Sequence, residues 1–300
     1  MSRPLAMLVL LLATMFWGFG FVAQKSAMTS VGPLTFIAAR YLLGGLAVLP
    51  LALREHARRK ARLTHRHWAV IAFLAVNFFL GSYLQQTGLL TTSVTNGGFL
   101  TGLYVFFVPI VLLVMFRTRP HPVVWLCSPL ALGGLYLLTG ARLTAFGSGD
   151  SLVIASSFFW AMHVLIIGYA ARQTGLPILV SCATFLMAGA FSLLLAGGFE
   201  VITLADLSRG WVEIAYAGLV STAIAFTLQA VGQLHVPPAN AAIILSAESL
   251  FAAFGGWLLL GERLPPQGYL GAAMILAAIV AVETIPALAR RRAPIEIVRP

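Results

Sequence analysis

A chain of 300 residues that is 60% hydrophobic and only 9% charged, with a mean hydropathy of +0.94, is not a soluble globular domain. Its length allows roughly ten spans of about 20 residues with short connectors, and no sizeable soluble part. A net charge of +10 does not mark a nucleic-acid binder here, because the basic residues fall in short segments between apolar runs.

In chain order, apolar runs bounded by turn residues or charge predict ten helices, at about 5–23, 33–53, 68–88, 95–116, 122–139, 150–170, 177–198, 211–232, 238–260 and 266–286. A short Ser-Arg-Pro lead precedes the first, with no small-residue cleavage site after it, so it reads as a retained helix. Thr91-Thr-Ser-Val-Thr-Asn96 must serve as an uncharged turn between the third and fourth. Cys127 and Cys182 lie inside apolar runs without metal-ligand spacing and read as packed thiols.

With the N-terminus inside, the inner segments hold fourteen Lys and Arg residues: Arg3, six in 54–67 including Lys60, Arg117, Arg119, Arg172, Arg290, Arg291, Arg292 and Arg299. The outer segments hold four, Lys25, Arg142, Arg209 and Arg263. This asymmetry predicts cytoplasmic termini and a multi-pass protein of the cell inner (plasma) membrane. Arg40 lies within a span, about 10 Å from the outer end of the second helix, and a structural role is expected for it, with snorkelling to that end within reach.

The chain also repeats itself. Trp68-Ala-Val-Ile-Ala-Phe aligns with Trp211-Val-Glu-Ile-Ala-Tyr, Gln86 with Gln229, Trp17 with Trp160, and Pro33 with Pro177. Thr95-Asn96-Gly-Gly-Phe-Leu aligns with Ala239-Asn240-Ala-Ala-Ile-Ile. The expected fold is therefore all-α and integral to the membrane, ten transmembrane helices in two five-helix units, 1–143 and 144–300. Five is odd, so the second unit enters from the opposite face and the repeats are inverted. Inverted repeats with a midplane site at their interface are a transporter device.

A depth count of about ten residues into each helix puts Trp17, Asn77, Tyr104, Trp160, His163, Ser221 and Glu248 near the bilayer centre. Tyr83 and Gln86 share a face of the third helix nearer its outer end. These residues, Gln86 aside, form the candidate substrate site, and Tyr104 occupies the position equivalent to Glu248. A lone carboxylate at mid-depth costs about 2.5–3.5 kcal/mol and demands a partner, water or a proton. His163 offers a second group able to carry a proton. Each has a plainer role: Trp17 and Trp160 as packing, Asn77 as a bridge between helices, Tyr83 as packing, His163 as a neutral donor to a carbonyl. Pro109, mid-helix in the fourth span, is expected to kink it and act as hinge or gate. The glycine pair Gly18 and Gly20 predicts close helix approach.

The run Ala239-Asn240-Ala-Ala-Ile-Ile-Leu-Ser-Ala-Glu248-Ser-Leu-Phe-Ala-Ala-Phe-Gly-Gly-Trp-Leu-Leu-Leu-Gly-Glu262-Arg263 resembles the second-repeat signature of EamA-type members of the drug/metabolite transporter superfamily. Thr95-Asn96-Gly-Gly-Phe-Leu-Thr-Gly-Leu-Tyr104-Val-Phe-Phe-Val-Pro109 resembles the first-repeat counterpart, and Trp17-Gly-Phe-Gly and Arg40-Tyr sit where that family has such residues. The family commonly has proline after the ninth-helix glutamate; here it is Ser249, so no kink at Glu248 is carried over. The resemblance implies a cavity lined by helices one, three, four, six, eight and nine, and transport of small metabolites, often amino-acid efflux.

The expected function is alternating-access export of amino acids or related amphipathic compounds, with a small-molecule substrate and the lipid bilayer as partners. Protons are a candidate coupling ion, and a monomer is expected. Proton-coupled efflux of lipophilic cations is the alternative, with carriage of nucleosides or sugars behind it. A membrane enzyme would need a catalytic grouping or metal cluster; the six histidines are scattered, three of them in 54–67, and no cofactor or metal motif is present.

Overall fold

The computed structural model describes residues 1–59, 62–92, 94–138, 140, 147–260 and 263–292, and these contain helices and no strand. Lys60, Arg142, Glu262 and Arg299, and the unit boundary at 143/144, lie outside the described residues. Ten membrane helices follow in order: α1 (Arg3–Ala27), α2 (Pro33–Arg59), α3 (His65–Gly88), α4 (Val94–Gly102 continuing as Tyr104–Val114), α5 (Pro122–Leu138), α6 (Ser148–Thr174), α7 (Pro177–Phe199), α8 (Trp211–Gly232), α9 (Pro238–Leu245 continuing as Glu248–Leu260) and α10 (Pro266–Arg292). A short helix, Leu204–Arg209, precedes α8. Among the described residues, nine spans are long and apolar enough to cross a membrane, and α5 is a shorter apolar helix of 17 residues. The protein is a multi-pass membrane protein: large apolar side chains such as Leu8, Leu46, Phe73, Leu126, Leu194 and Leu270 face outward, while Thr14, Asn77, Gln86, Ser156, Gln229 and Gln233 are buried.

Proline explains many of the helix starts. α2, α5, α7, α9 and α10 each open on one, where a missing amide hydrogen costs nothing and the fixed φ already suits the helix. The end of α6 is set by Gly175, whose φ of 64° is a left-handed cap that a side chain would strain. At its start, Asp150 accepts the Gly147 amide at 2.9 Å.

The packing follows a pseudo-two-fold. α2 lies along α7 and α5 along α10, each helix against its own repeat partner. The α2–α7 pair is tied reciprocally at both ends. Glu200, at the end of α7, accepts the amides of Leu34 (2.9 Å) and Thr35 (2.8 Å) at the start of α2. Glu55, near the end of α2, accepts the Leu179 amide at the start of α7 (2.9 Å). Carboxylates on helix N-termini satisfy orphan amides and meet the positive end of the helix dipole. α5 and α10 cross where a Cβ on Gly134 would meet the Gly271 carbonyl at 2.7 Å, so only hydrogen fits between the backbones.

The other six helices form two groups. α1 packs on α8 and α9, and its repeat partner α6 packs on α3 and α4. Each group thus draws on both repeats, and contacts between the groups are sparser than those within them.

α4 and α9 are interrupted at equivalent places. The α4 interruption is at Leu103, whose amide donates to Leu100 (3.3 Å) while Phe106 donates back to Leu103 (2.9 Å). In α9 it falls at Ser246–Ala247, where Ala247 donates to Ile244 (3.1 Å) and Ser249 to Ser246 (3.2 Å). Both are tightened i→i+3 turns. Pro109, the expected kink, lies inside the continuous helix Tyr104–Val114. A proline removes the bond to the residue four before it and disturbs the turn upstream, so its own position stays helical. α9 breaks without any proline at 249; there the Ser246 hydroxyl bonds the Ile243 carbonyl (2.6 Å) and competes with the backbone ladder.

Candidate functional site

The two restart points, Tyr104 and Glu248, open onto one cavity between the two helix groups, with about 510 Å³ of empty space counted to its open margin. Its walls come from α1 (Trp17, Phe21, Gln24), α2 (Arg40), α3 (Gln85), α4 (Thr101, Tyr104), α6 (Trp160, His163, Val164), α8 (Ser221, Phe226, Gln229) and α9 (Leu245, Glu248). α5, α7 and α10 contribute none of these lining residues.

Local chain geometry places each group. Gly18 lets α1 lie directly on the α9 restart: a Cβ there would stand 2.7 Å from the Glu248 carbonyl oxygen and from the Ala252 nitrogen. One residue earlier, the Trp17 indole donates to the Ser221 carbonyl at 3.0 Å. That carbonyl belongs to a π-helical stretch, Tyr216–Phe226, whose wider turn is the kind of local departure often found at functional sites.

Phe226 stands at the centre of the aromatic wall, with its ring 4.6 Å from Trp17, 5.8 Å from Trp160 in a stacked arrangement, and 5.5 Å edge-on from His163. Phe78 backs this wall, 4.8 Å from Phe226 and 4.9 Å from His163.

Several polar atoms in this wall are buried and lack a hydrogen-bond partner among the described residues: Tyr104 Oη, Trp160 Nε1, His163 Nδ1, Glu248 Oε1 and Arg40 Nε. The Tyr104 hydroxyl and the Glu248 carboxyl are electrostatic neighbours. The two groups interact across the cavity wall, although neither the hydroxyl nor Glu248 Oε1 meets full hydrogen-bond geometry. His163 is anchored on its other nitrogen, 3.2 Å from Gln229 Oε1. Buried polar groups without partners are costly, and several converging on one cavity mark a place where a ligand can supply them.

Of the residues singled out from sequence, Trp17, Tyr104, Trp160, His163, Ser221 and Glu248 line the cavity. Asn77 does not: its amide donates to the Phe159 carbonyl at 2.8 Å, binding α3 to α6. Tyr83 stacks on Phe79 at 5.8 Å and is also off the cavity wall. Gln86 donates to the Gln24 carbonyl at 3.0 Å.

Arg40 corrects an expectation. It does not snorkel; it is 3% exposed, donates to Gln24 Oε1 at 3.0 Å and lies over the Tyr41 ring at 4.8 Å. The packing of α2 against α7 and α8 turns it inward, where the short distance to the helix end is of no use. Gln24, Gln85, Thr101, Phe226 and Gln229 were not singled out as site residues. The available signal was their spacing: Trp17, Phe21 and Gln24 step by four and three along one face of α1. Cys127 and Cys182 are buried free thiols. No group of histidine, cysteine or carboxylate residues among the described residues has the makings of a metal site.

Cations tie the two groups together near both ends. Lys25, at the end of α1, donates to the carbonyls of Leu89, Leu90 (3.3 Å) and Thr92 (3.0 Å) just beyond α3. Arg172, near the end of α6, donates to the Gln233 carbonyl beyond α8 at 2.8 Å. α1 and α6 are repeat partners, as are α3 and α8, so the two ties are equivalent and lie at opposite faces of the bundle.

Comparison with known proteins gives a consistent picture. The profile of the EamA-like transporter family matches residues 4–140 and again 147–284. An uncharacterised transporter of Archaeoglobus fulgidus is 28% identical over 284 residues, covering 94% of this chain and 86% of that protein. The uncharacterised transporter YwfM of Bacillus subtilis is 29% identical over 288 residues, covering 93% and 94%. The S-adenosylmethionine/S-adenosylhomocysteine transporter of Chlamydia muridarum is 27% identical over 296 residues, covering 88% and 87%. A solved crystal structure superposes with a TM-score of 0.78 at 19% identity, covering 98% of this chain and all of that one, a likeness of fold. With both halves matched by one profile and the relatives named as transporters, this chain belongs to the EamA-like transporter family.

Proposed function

We propose that the protein moves amino acids or related small amphipathic metabolites across the membrane by alternating access, in the export direction, through the cavity between the two helix groups. The observation that carries this reading is the wall itself: Trp17, Trp160 and Phe226 around a space that also holds Glu248 and Tyr104. Aromatic faces hold an apolar or aromatic side chain, and a substrate ammonium is stabilised by those faces and by the carboxylate. The division into units at 143/144, with both termini cytoplasmic, is part of the same reading. It rests on the repeat equivalences and on fourteen inner against four outer Lys and Arg residues. So is an inner-membrane location, with the chain acting as a monomer. In this scheme the Lys25 and Arg172 ties open alternately.

The test is flux of a panel of labelled amino acids in liposomes holding the purified protein. Saturable movement of neutral or aromatic amino acids supports the assignment. Movement of sugars or nucleosides with none of the amino acids sinks it.

A second reading makes the cargo a sulfonium or other lipophilic cation exchanged for a proton at Glu248 or His163. It is favoured by the unpartnered Glu248 oxygen and by the chlamydial relatives named for S-adenosylmethionine. Flux that follows an imposed proton gradient in the wild type and loses that dependence in Glu248→Gln would select it. Flux indifferent to the gradient would reject it.

A further inference from the structure

Arg40 is a buried intramembrane cation with no carboxylate paired to it among the described residues. Its contacts are Gln24 Oε1, which accepts from Nη1, and the rings of Tyr41 at 4.8 Å and Phe36 at 5.7 Å; Nε has no partner. Taking a cation out of water costs several kcal/mol, and one neutral amide with two ring faces returns only part of it. A leucine would fill the same space without that cost. Yet Arg40 lines the cavity, and the same wall holds a pair of polar groups: Gln85 donates to Thr101 Oγ1 at 2.8 Å, which leaves the threonine hydroxyl proton free to donate onward.

We propose that Arg40 is a carboxylate-binding residue of the substrate site: the transported molecule carries a carboxylate, which pairs with the Arg40 guanidinium and takes a further bond from Thr101. A planar guanidinium with an unused N–H suits the two oxygens of a carboxylate, and the missing counter-ion is then the cargo. Glu248 lies nearer the start of α1: its carbonyl meets Gly18, whereas Arg40 is held at Gln24, a step of six residues or about 9 Å along the helix. The anionic end of the cargo therefore lies toward the end of α1, and its apolar or cationic remainder extends past Trp17 toward Tyr104 and Glu248. Amines and neutral compounds of the same shape are poor ligands. This inference rests on the reading of the cavity as the substrate site and narrows its substrate class to organic carboxylates.

The experiment is thermal stabilisation of the purified full-length protein by matched pairs that differ only at the carboxylate. The pairs are phenylalanine and its amide, 3-phenylpropionate and its amide, and S-adenosylmethionine and its decarboxylated form. The expected result is at least one pair in which the carboxylate binds tenfold or more tightly, with the preference falling to within twofold in Arg40→Gln while the member lacking the carboxylate binds as before. If Arg40→Gln does not fold, Arg40→Lys keeps the charge without the fork and is expected to cut the preference at least threefold. Preference for phenylpropionate with silence toward phenylalanine would uphold the subsite and remove the amino-acid assignment. No carboxylate preference in the wild type, or a preference that survives both variants, overturns the inference, even if amino acids are transported.

Discussion

α4 and α9 stop and restart at equivalent residues through the same kind of tightened turn, but one restarts on Tyr104 and the other on Glu248. The same division runs through the molecule. What shapes the chain is shared between the halves: the helix pairings, the reciprocal Glu55 and Glu200 caps, the Lys25 and Arg172 ties. The groups that face the cavity are not shared. Glu248 has a phenol opposite it, and Arg40 corresponds to Thr184, which is spent on the Val180 carbonyl of its own helix. Repeat symmetry thus provides the frame, and departures from symmetry provide the groups that face the cavity. Substitutions at paired positions test this division.

The largest effect is expected where the halves differ in backbone clearance. Gly18 touches α9 backbone, whereas its equivalent on α6, Ala161, already carries a Cβ. Gly18→Val should cost at least the 1–3 kcal/mol typical of overpacking, or prevent folding, because the atoms it meets are main chain. Ala161→Gly should cost about 1 kcal/mol, the usual helix penalty. Thermal unfolding in detergent measures both, and similar costs would contradict the asymmetry.

The reciprocal caps should instead behave alike. Glu200→Gln and Glu55→Gln each remove a charged acceptor from a helix start, for a loss of about 1 kcal/mol apiece in unfolding experiments. Glu200, with two amides and the Thr35 hydroxyl, should lose the more.

A smaller difference is expected at the tryptophans. Trp17→Phe forfeits the bond to Ser221, worth about 1 kcal/mol, whereas Trp160→Phe forfeits none because its indole nitrogen is unpartnered. The stability loss should therefore be confined to Trp17→Phe, with Trp160→Phe seen mainly in substrate affinity.

The smallest effects should come from the ties. Lys25→Met and Arg172→Met each free one face, and partly exposed contacts of this kind shift a balance by under about 1 kcal/mol. Labelling of cysteines introduced into the cavity wall should change only a few-fold, from opposite sides of the membrane for the two variants. Changes from the same side would break the equivalence.

Much of this frame was legible in the residues. Apolar run lengths and prolines located all ten helices, and the Trp68/Trp211 and Trp17/Trp160 equivalences exposed the repeat. Depth along a helix was also legible, which is why six of the eight substrate-site candidates lie on one cavity. Rotation about the helix axis was not. A membrane helix is apolar on nearly every side, so periodicity does not say which face turns inward. Asn77 has the right depth and the wrong face, and Arg40 was assigned by its distance from a helix end when packing decided its direction. Pro109 itself stays helical and the turn in α4 forms upstream of it, at Leu103, a position marked by no unusual residue.

The most direct test of the central claim, that the cavity at the helix-nine restart is where substrate is handled, is counterflow of labelled amino acids in liposomes with wild type, Tyr104→Phe and Glu248→Gln in parallel. The account predicts saturable wild-type flux, a reduction of a few-fold in Tyr104→Phe, and at least a tenfold loss in Glu248→Gln, or about 1.4 kcal/mol, with the variant still folded. Wild-type flux in a folded Glu248→Gln protein would contradict it.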